Sequence, residues 1–362
     1  MGFDHTHYMP CLRWKQGEYL AVSQLPNATK HALTPLIEVP EIGWDFEKGK
    51  EAKAIDEHLA PFAKRVHDKW GRRDCFIDPH LIGPTERMAA GMHPVCFVFH
   101  TLRERMCSPI LVTGLDRDDG YQREVRDGLA QSGSRVCLRI KIEQAGKSSF
   151  RNDLNALLST LGIHANNCDL ILDLGTPNFV PIEGFCVTIQ SIVRAFPCLN
   201  DWQTFTILGT SLPETMAGIR TGGEVVPRYE WRLYKMLVDS FREAGLRLPS
   251  FGDYAISHPR TIDMDMRIVR PNATIRFTID DSWYIAKGNN VRDYGYEQFH
   301  RLSEQILASR YYRDSTSSWG KEYIRQCANK SAKRVISLNG CRLVQIIISR
   351  RWFKTSPVST LP

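Results

Sequence analysis

Short apolar runs rich in β-branched residues recur along the chain, each followed by a polar turn and a longer stretch with helical spacing. Eight runs stand out: Leu33–Val39, Asp74–Asp78, Pro109–Gly114, Arg135–Lys141, Asp169–Leu174, Phe205–Thr210, Pro249–Tyr254 and Ala273–Thr278. Between them the pattern predicts helices over Glu51–Trp70, Pro84–Arg105, Tyr121–Gln131, Ser149–Leu161, Ile182–Ala195 and Arg228–Ala244. In the first of these, Ile55, Leu59, Phe62, Ala63, Val66 and Trp70 form one apolar stripe with charges opposite. Strand–helix alternation predicts a parallel sheet, and eight units is the number that closes a (β/α)8 barrel of the TIM type. The alternative is a doubly wound open α/β sheet. No Gly-x-Gly-x-x-Gly follows any run, which argues against its dinucleotide-binding form.

After the eighth run the pattern changes. Thr278–Lys287 reads as a hairpin around Asp280-Asp281, followed by helices over Tyr296–Ser309 and Trp319–Ala332. The expected organisation is a barrel with an N-terminal extension over residues 1–280. A hairpin and helical extension over 281–362 packs on it and ends in a basic tail, 328–362.

Side chains two apart on a strand share a face, so the polar residues that end the runs can be assigned to the lumen or to the helix-covered side. Leu36 pairs with Glu38, Phe76 with Asp78, Leu111 with Thr113, Cys137 with Arg139 and Lys141, and Ile171 with Asp173. Thr206 and Leu208 align with Thr210, Phe251 with Asp253, and Thr274 and Thr278 with Arg276. The expected result is a ring of Glu38, Asp78, Thr113, Arg139, Lys141, Asp173, Thr210, Asp253 and Arg276 at the carboxyl ends of the strands, where barrel enzymes place their chemistry. Two chemistries suit such a set. Carboxylates from Glu38, Asp173 and Asp253 would hold Mg2+ or Mn2+, with Asp78 completing a catalytic group and Arg139, Lys141, Tyr254 and Arg276 binding substrate. Alternatively a carboxylate pair does general acid and base work. A purely structural reading stands beside both: charged residues at a barrel mouth can simply pair, Asp173 with Arg276 for example.

Composition narrows the picture. The chain has 362 residues, 43% hydrophobic and 24% charged, an ordinary globular balance. Its net charge of +7 sits entirely in the tail, where Lys330, Lys333, Arg334, Arg342, Arg350, Arg351 and Lys354 occur with no acid, so residues 1–327 sum to zero. The main body is therefore no basic nucleic-acid binder, although the tail offers a contact for a polyanion. The ten cysteines form no Cys-x-x-Cys and read as buried thiols of a cytoplasmic protein. Neither a signal peptide at Met1–Pro10 nor a membrane-spanning apolar run is read. Gly-x-Ser-x-Gly and the P-loop pattern are absent. Asp116-Arg117-Asp118-Asp119-Gly120 reads as a turn rather than a cation loop, and His258 as a loop histidine.

Several segments in order resemble the Beta protein family of phages, satellite phages and bacterial genomic islands. They are Tyr8–Glu18, Thr34–Pro40, Arg228-Tyr229-Glu230-Trp231, Phe251-Gly252-Asp253-Tyr254 with His258-Pro259, Ala273–Thr278 leading to Trp283, and Ser318-Trp319-Gly320 with Tyr323-Ile324. The resemblance runs from residue 8 to about Ala332. It implies a cytoplasmic component of an anti-phage, phage-exclusion system, whose partners are proteins of the same gene cluster (a toxin-like product and a small regulator) or a phage product. It supplies no reaction and no catalytic residues. A metal-dependent phosphodiesterase or nuclease, and a non-catalytic protein-binding scaffold, are the other readings.

Overall fold

The structure is a computed structural model that describes residues 2–133, 135–260, 268, 270–313 and 318–332. Its strands, in chain order, are β1 (Tyr8–Leu12), β2 (Leu36–Glu38), β3 (Trp44–Asp45), β4 (Lys50–Glu51), β5 (Asp74–Asp78), β6 (Ser108–Thr113), β7 (Val136–Lys141), β8 (Cys168–Asp173), β9 (Phe205–Leu208), β10 (Glu224–Pro227), β11 (Ser250–Asp253), β12 (Asn272–Ile279) and β13 (Ser282–Asn290). The chain divides into two compact units.

The first unit holds the residues up to Trp14 together with Leu33–Thr210 and Tyr229–Tyr254. Eight parallel strands close in the order β1-β11-β9-β8-β7-β6-β5-β2, with helices between them, a TIM-barrel-like α/β fold. Seven of the eight predicted runs supply barrel strands; the eighth does not. β1 closes the ring, with Tyr8 in register with Phe251 of β11 and Cys11 with Leu36 of β2. The sequence pattern places this stretch in the N-terminal extension; it is short and carries Pro10, which lacks an N–H and so blurs the strand signal. The open-sheet alternative is excluded by the same closure. The Glu51–Trp70 stripe is also broken, into helices Ile55–Leu59 and Phe62–Lys69, where Pro61 cannot donate to the preceding turn.

Two apolar layers follow from strand alternation. Met9, Cys11, Leu36, Phe76, Ile110, Val112, Cys137, Ile171, Leu208 and Tyr254 fill the lumen, every barrel strand or its end contributing. The opposite faces, including Leu111, Val136, Leu138, Leu170, Leu172 and Ile207, pack under Val125, Leu154, Ile189 and Leu237 of the surrounding helices. Two glycines permit close approach. A Cβ on Gly114 would lie 2.5 Å from the Arg139 carbonyl oxygen, and one on Gly252 3.0 Å from Met9 Cε inside the lumen.

The second unit contains Lys15–Ala32, Ser211–Arg228 and the described residues from Ala255 onward. Its core is an antiparallel sheet in the order β10-β13-β12, with helices Gln298–Ala308 and Trp319–Ala328. The predicted hairpin is present: Ile279 faces Ser282 across the Asp280-Asp281 turn. That local partner draws Ala273–Thr278 into this sheet, because a hairpin closes more readily than a distant parallel pairing. The barrel therefore does not run continuously to residue 280. Lys287 of β13 points its buried ammonium at the carbonyls of Met216 (2.7 Å) and Ile219 (2.7 Å), anchoring the segment before β10.

All nine described cysteines are free thiols. Among the described residues no helix is long and apolar enough to cross a membrane. The tail cations from Lys333 to Lys354 lie outside the described residues.

Candidate functional site

At the carboxyl ends of β2, β5, β7 and β8 the inward-facing positions are Glu38, Asp78, Arg139 and Asp173, and all four side chains are buried. Register brings them level: Glu38 faces Asp78, and Lys141, two residues beyond Arg139, faces Asp173. Arg139 stands at the centre. Its Nε donates to Asp173 Oδ2 at 2.8 Å, and Nη1 donates to Glu38 Oε1 at 2.8 Å and Asp78 Oδ2 at 2.9 Å. Nη2 donates to the Tyr254 hydroxyl at 2.8 Å and also lies 2.8 Å from Asp173 Oδ2. A guanidinium has five N–H donors, and here every one of them faces an acceptor. Tyr254 relays the contact by donating its own proton to Asp173 at 2.7 Å.

A second circle of cations completes the balance. Arg13, just beyond β1, approaches Glu38 Oε2 at 3.5 Å, and Arg117 approaches Asp78 at 3.3 Å. Tyr121 donates to the Val112 carbonyl at 2.7 Å, with Asp78 Oδ1 3.5 Å away. The buried set thus pairs the carboxylates of Glu38, Asp78 and Asp173 with the guanidiniums of Arg13, Arg117 and Arg139. Such a set tolerates the absence of water because each buried carboxylate meets a guanidinium.

The electrostatics follow. Burial would raise the Asp78 pKa, but His80, Arg117 and Arg139 outweigh it and hold that carboxyl well below its ordinary range. Burial likewise opposes the charge on Arg139, yet Tyr254, Asp173 and Glu38 drive its pKa upward. Desolvation, with Asp173 adding to it, pushes the Tyr254 phenol far up, so it remains a hydrogen-bond donor. Burial and Glu38 do the same to the Cys11 thiol in the lumen, leaving it protonated and unreactive.

One group in the cluster is reachable from solvent. The His80 side chain is 23% exposed, with Nδ1 3.1 Å from Asp78 Oδ1 and Nε2 3.8 Å from Glu38 Oε1. Its backbone N–H donates to the same Asp78 oxygen at 3.2 Å, closing a turn that fixes the ring over the acid.

The remaining candidates fall elsewhere. Asp253 lies on the outward face of β11 beside Phe251, which packs on Trp231 and Tyr234, and accepts the Tyr8 hydroxyl at 2.5 Å. The inward positions on that strand are Gly252 and Tyr254. Thr113 likewise faces outward and donates to Gln122 at 2.8 Å, while Ile110 and Val112 line the lumen. Lys141 reaches out of the mouth, 56% exposed, to Asp116 at 2.7 Å. Thr210 is buried just past β9, its N–H donating to the Gly175 carbonyl at 3.0 Å. Arg276 belongs to β12 in the second unit, so the eighth-strand argument that set it on the barrel mouth does not hold. Asp173 takes Arg139 as its partner instead of the Arg276 considered from sequence.

Sequence reasoning missed Arg13, His80, Arg117 and Tyr121. Arg13 was hidden because its strand was not recognised. Arg117 lay inside the Asp116–Gly120 segment, whose turn character holds: Asp118 accepts from the Tyr121 N–H at 3.1 Å and caps helix Asp119–Ser132.

The expected metal set is not assembled. Among the described residues no three His, Cys, Asp or Glu side chains are placed to hold a metal ion. Glu38 and Asp173 turn onto Arg139, and Asp253 sits on the other face of its strand. A divalent cation at the centre would meet a guanidinium in its place, so the residues present do not fit Mg2+ or Mn2+.

The model of the Beta protein family matches residues 8–341, beginning at the first residue of β1. The chain belongs to the Beta protein family. The match takes in both units of this family member and every residue of the mouth, and it extends nine residues past Ala332, where the sequence resemblance stopped. No curated protein matches the chain.

Proposed function

We propose that this Beta protein family member is a cytoplasmic recognition component of a phage-exclusion system. Its barrel mouth docks a protein of the same gene cluster or a phage product. The observation that carries this reading is the full engagement of Arg139 by Glu38, Asp78, Asp173 and Tyr254. A mouth whose charges already pair with one another is a preorganised polar surface, and among the described residues it leaves neither an open metal position nor a free guanidinium for substrate phosphate. The loop after β2 adds the β3–β4 hairpin, on which Trp44 is 46% and Phe46 38% exposed. Exposed aromatics beside a polar surface are the anchors that protein interfaces use.

The test pairs plating efficiency with partner capture. Trp44→Ala with Phe46→Ala alters only exposed side chains, so the melting temperature stays within about 2 °C of wild type. The doubly substituted protein loses phage exclusion and no longer co-purifies with its gene-cluster neighbours. Undiminished exclusion by the substituted protein would overturn the proposal.

A second reading, general acid–base catalysis, is favoured by the solvent-reachable His80 against Asp78. On that reading His80→Gln abolishes exclusion while the protein stays folded by circular dichroism and partner capture is retained.

A further inference from the structure

The face of the second unit's sheet that carries Arg276 holds two donors, Arg276 Nε and Trp283 Nε1, that meet no acceptor among the described residues. On β12, Thr274, Arg276 and Thr278 share one face, opposite the buried Ala273, Ile275 and Phe277. Directly opposed residues of an antiparallel pair lie on the same face, so Trp283 and Ile285 of β13, in register with Thr278 and Arg276, join them. Arg276 and Trp283 are diagonal neighbours, about 7–8 Å apart along the backbone and within reach of long side chains.

Arg276 makes one hydrogen bond, from Nη1 to the Ile256 carbonyl at 3.3 Å. Its Nε has no acceptor among the described residues, and no described carboxylate pairs with it. Burial lowers its pKa to about 10. Trp283 is buried, and its Nε1–H has no acceptor among the described residues. Arg228 adds a further cation, its guanidinium 5.2 Å above the Trp283 ring. Lys287, a buried cation of the same sheet, is answered by three carbonyls, those of Met216, Ala217 and Ile219, whereas Arg276 is half-buried with its Nε enclosed. The contrast is physical: an arginine withdrawn from water is costly unless an anion meets it.

We propose that the β12–β13 face binds an oxyanion, a phosphate or a carboxylate, through the Arg276 guanidinium fork and the Trp283 indole N–H. A planar fork beside an N–H donor matches two oxygens of one tetrahedral or carboxylate group. This site lies wholly within the second unit and is independent of the barrel mouth.

The experiment titrates the full chain with inorganic phosphate and, separately, with acetate, holding ionic strength constant with chloride, and follows melting temperature and tryptophan fluorescence. One oxyanion gives a saturable rise of a few degrees with a fluorescence change, and the stronger of the two identifies the ligand class. Arg276→Met abolishes the rise and, by removing a half-buried cation whose Nε meets no acceptor among the described residues, melts no lower than wild type without added anion. Arg276→Lys keeps a weakened response, and Trp283→Phe removes the fluorescence change. The proposal fails if neither anion acts beyond chloride, or if Arg276→Met still responds. It also fails if Arg276→Met is strongly destabilised without anion while Arg276→Lys is not, since Arg276 would then serve a structural partner.

Discussion

Replacing Arg139 with methionine tests the mouth at its centre. The substitution keeps a long flexible side chain but removes the charge and all five donors from among three buried carboxylates. Breaking a buried ionic cluster by deleting one partner costs about 3–5 kcal/mol, because the charges left behind remain out of water. Arg13 and Arg117 still touch Glu38 and Asp78, but among the described residues no second cation pairs with Asp173, so the penalty concentrates there. The pH dependence supplies a signature. In the wild type the Asp78 folded-state pKa is depressed, so its contribution is present above the unfolded value of about 3.9 and disappears as pH falls through the folded value. In the variant the orphaned carboxyls take raised folded-state values. Their contribution then exists below the unfolded value and is lost as pH rises through the raised one. The deficit is therefore largest near pH 8 and shrinks toward pH 5. Urea denaturation of both proteins at the two pH values, followed by tryptophan fluorescence, measures it. A deficit under about 1 kcal/mol at pH 8, or the same deficit at both, would refute the convergence of these groups on one guanidinium.

Three further outcomes follow from single contacts. Tyr254→Phe removes the hydroxyl between Arg139 and Asp173 and is expected to cost about 1–3 kcal/mol in urea denaturation, with little change in fold by circular dichroism. Gly114→Ala would press a Cβ to 2.5 Å from the Arg139 carbonyl oxygen, a backbone atom that cannot turn aside. It should lower stability by about 2 kcal/mol or more, whereas Gly43→Ala, with nothing within 4 Å, should not. His7, stacked on Phe3 and bonded to Thr34, has its pKa lowered to about 4 by burial, Asp4 opposing. Its contribution is present above the unfolded value of about 6.5 and is lost as pH falls through about 4, so His7→Gln should remove roughly 2–3 kcal/mol of the acid-induced loss across that window.

How far the fold could be read depended on contrast between neighbouring positions. On β2, β5, β7 and β8 an apolar lumen residue is followed two positions on by a charged one, and this contrast brings Glu38, Asp78, Arg139 and Asp173 to the inward face. On β6 both faces are apolar up to Thr113, so alternation carried no information and the parity was reversed. On β11 the inward position is Gly252, which has no side chain to mark the lumen, and Asp253 drew the assignment to itself. β1 was lost because a five-residue run with a proline has little local signature; it is a strand because β11 and β2 flank it. The reverse error placed β12 in the barrel, since its alternation is that of any half-buried strand and its antiparallel partner is decided by the adjacent turn. What the pattern could not convey was the pairing: which anion each cation meets depends on the closure of the ring.

The claim that Arg139 occupies the place of a metal ion is tested most directly by titrating the protein with Mg2+ and Mn2+ while following its melting temperature. Glu38, Asp78 and Asp173 already share a cation, so the wild type is expected to show no saturable stabilisation up to millimolar metal, and Asp173→Asn to behave the same. A saturable rise of several degrees in the wild type that disappears in Asp173→Asn would contradict the account and restore the carboxylates as metal ligands.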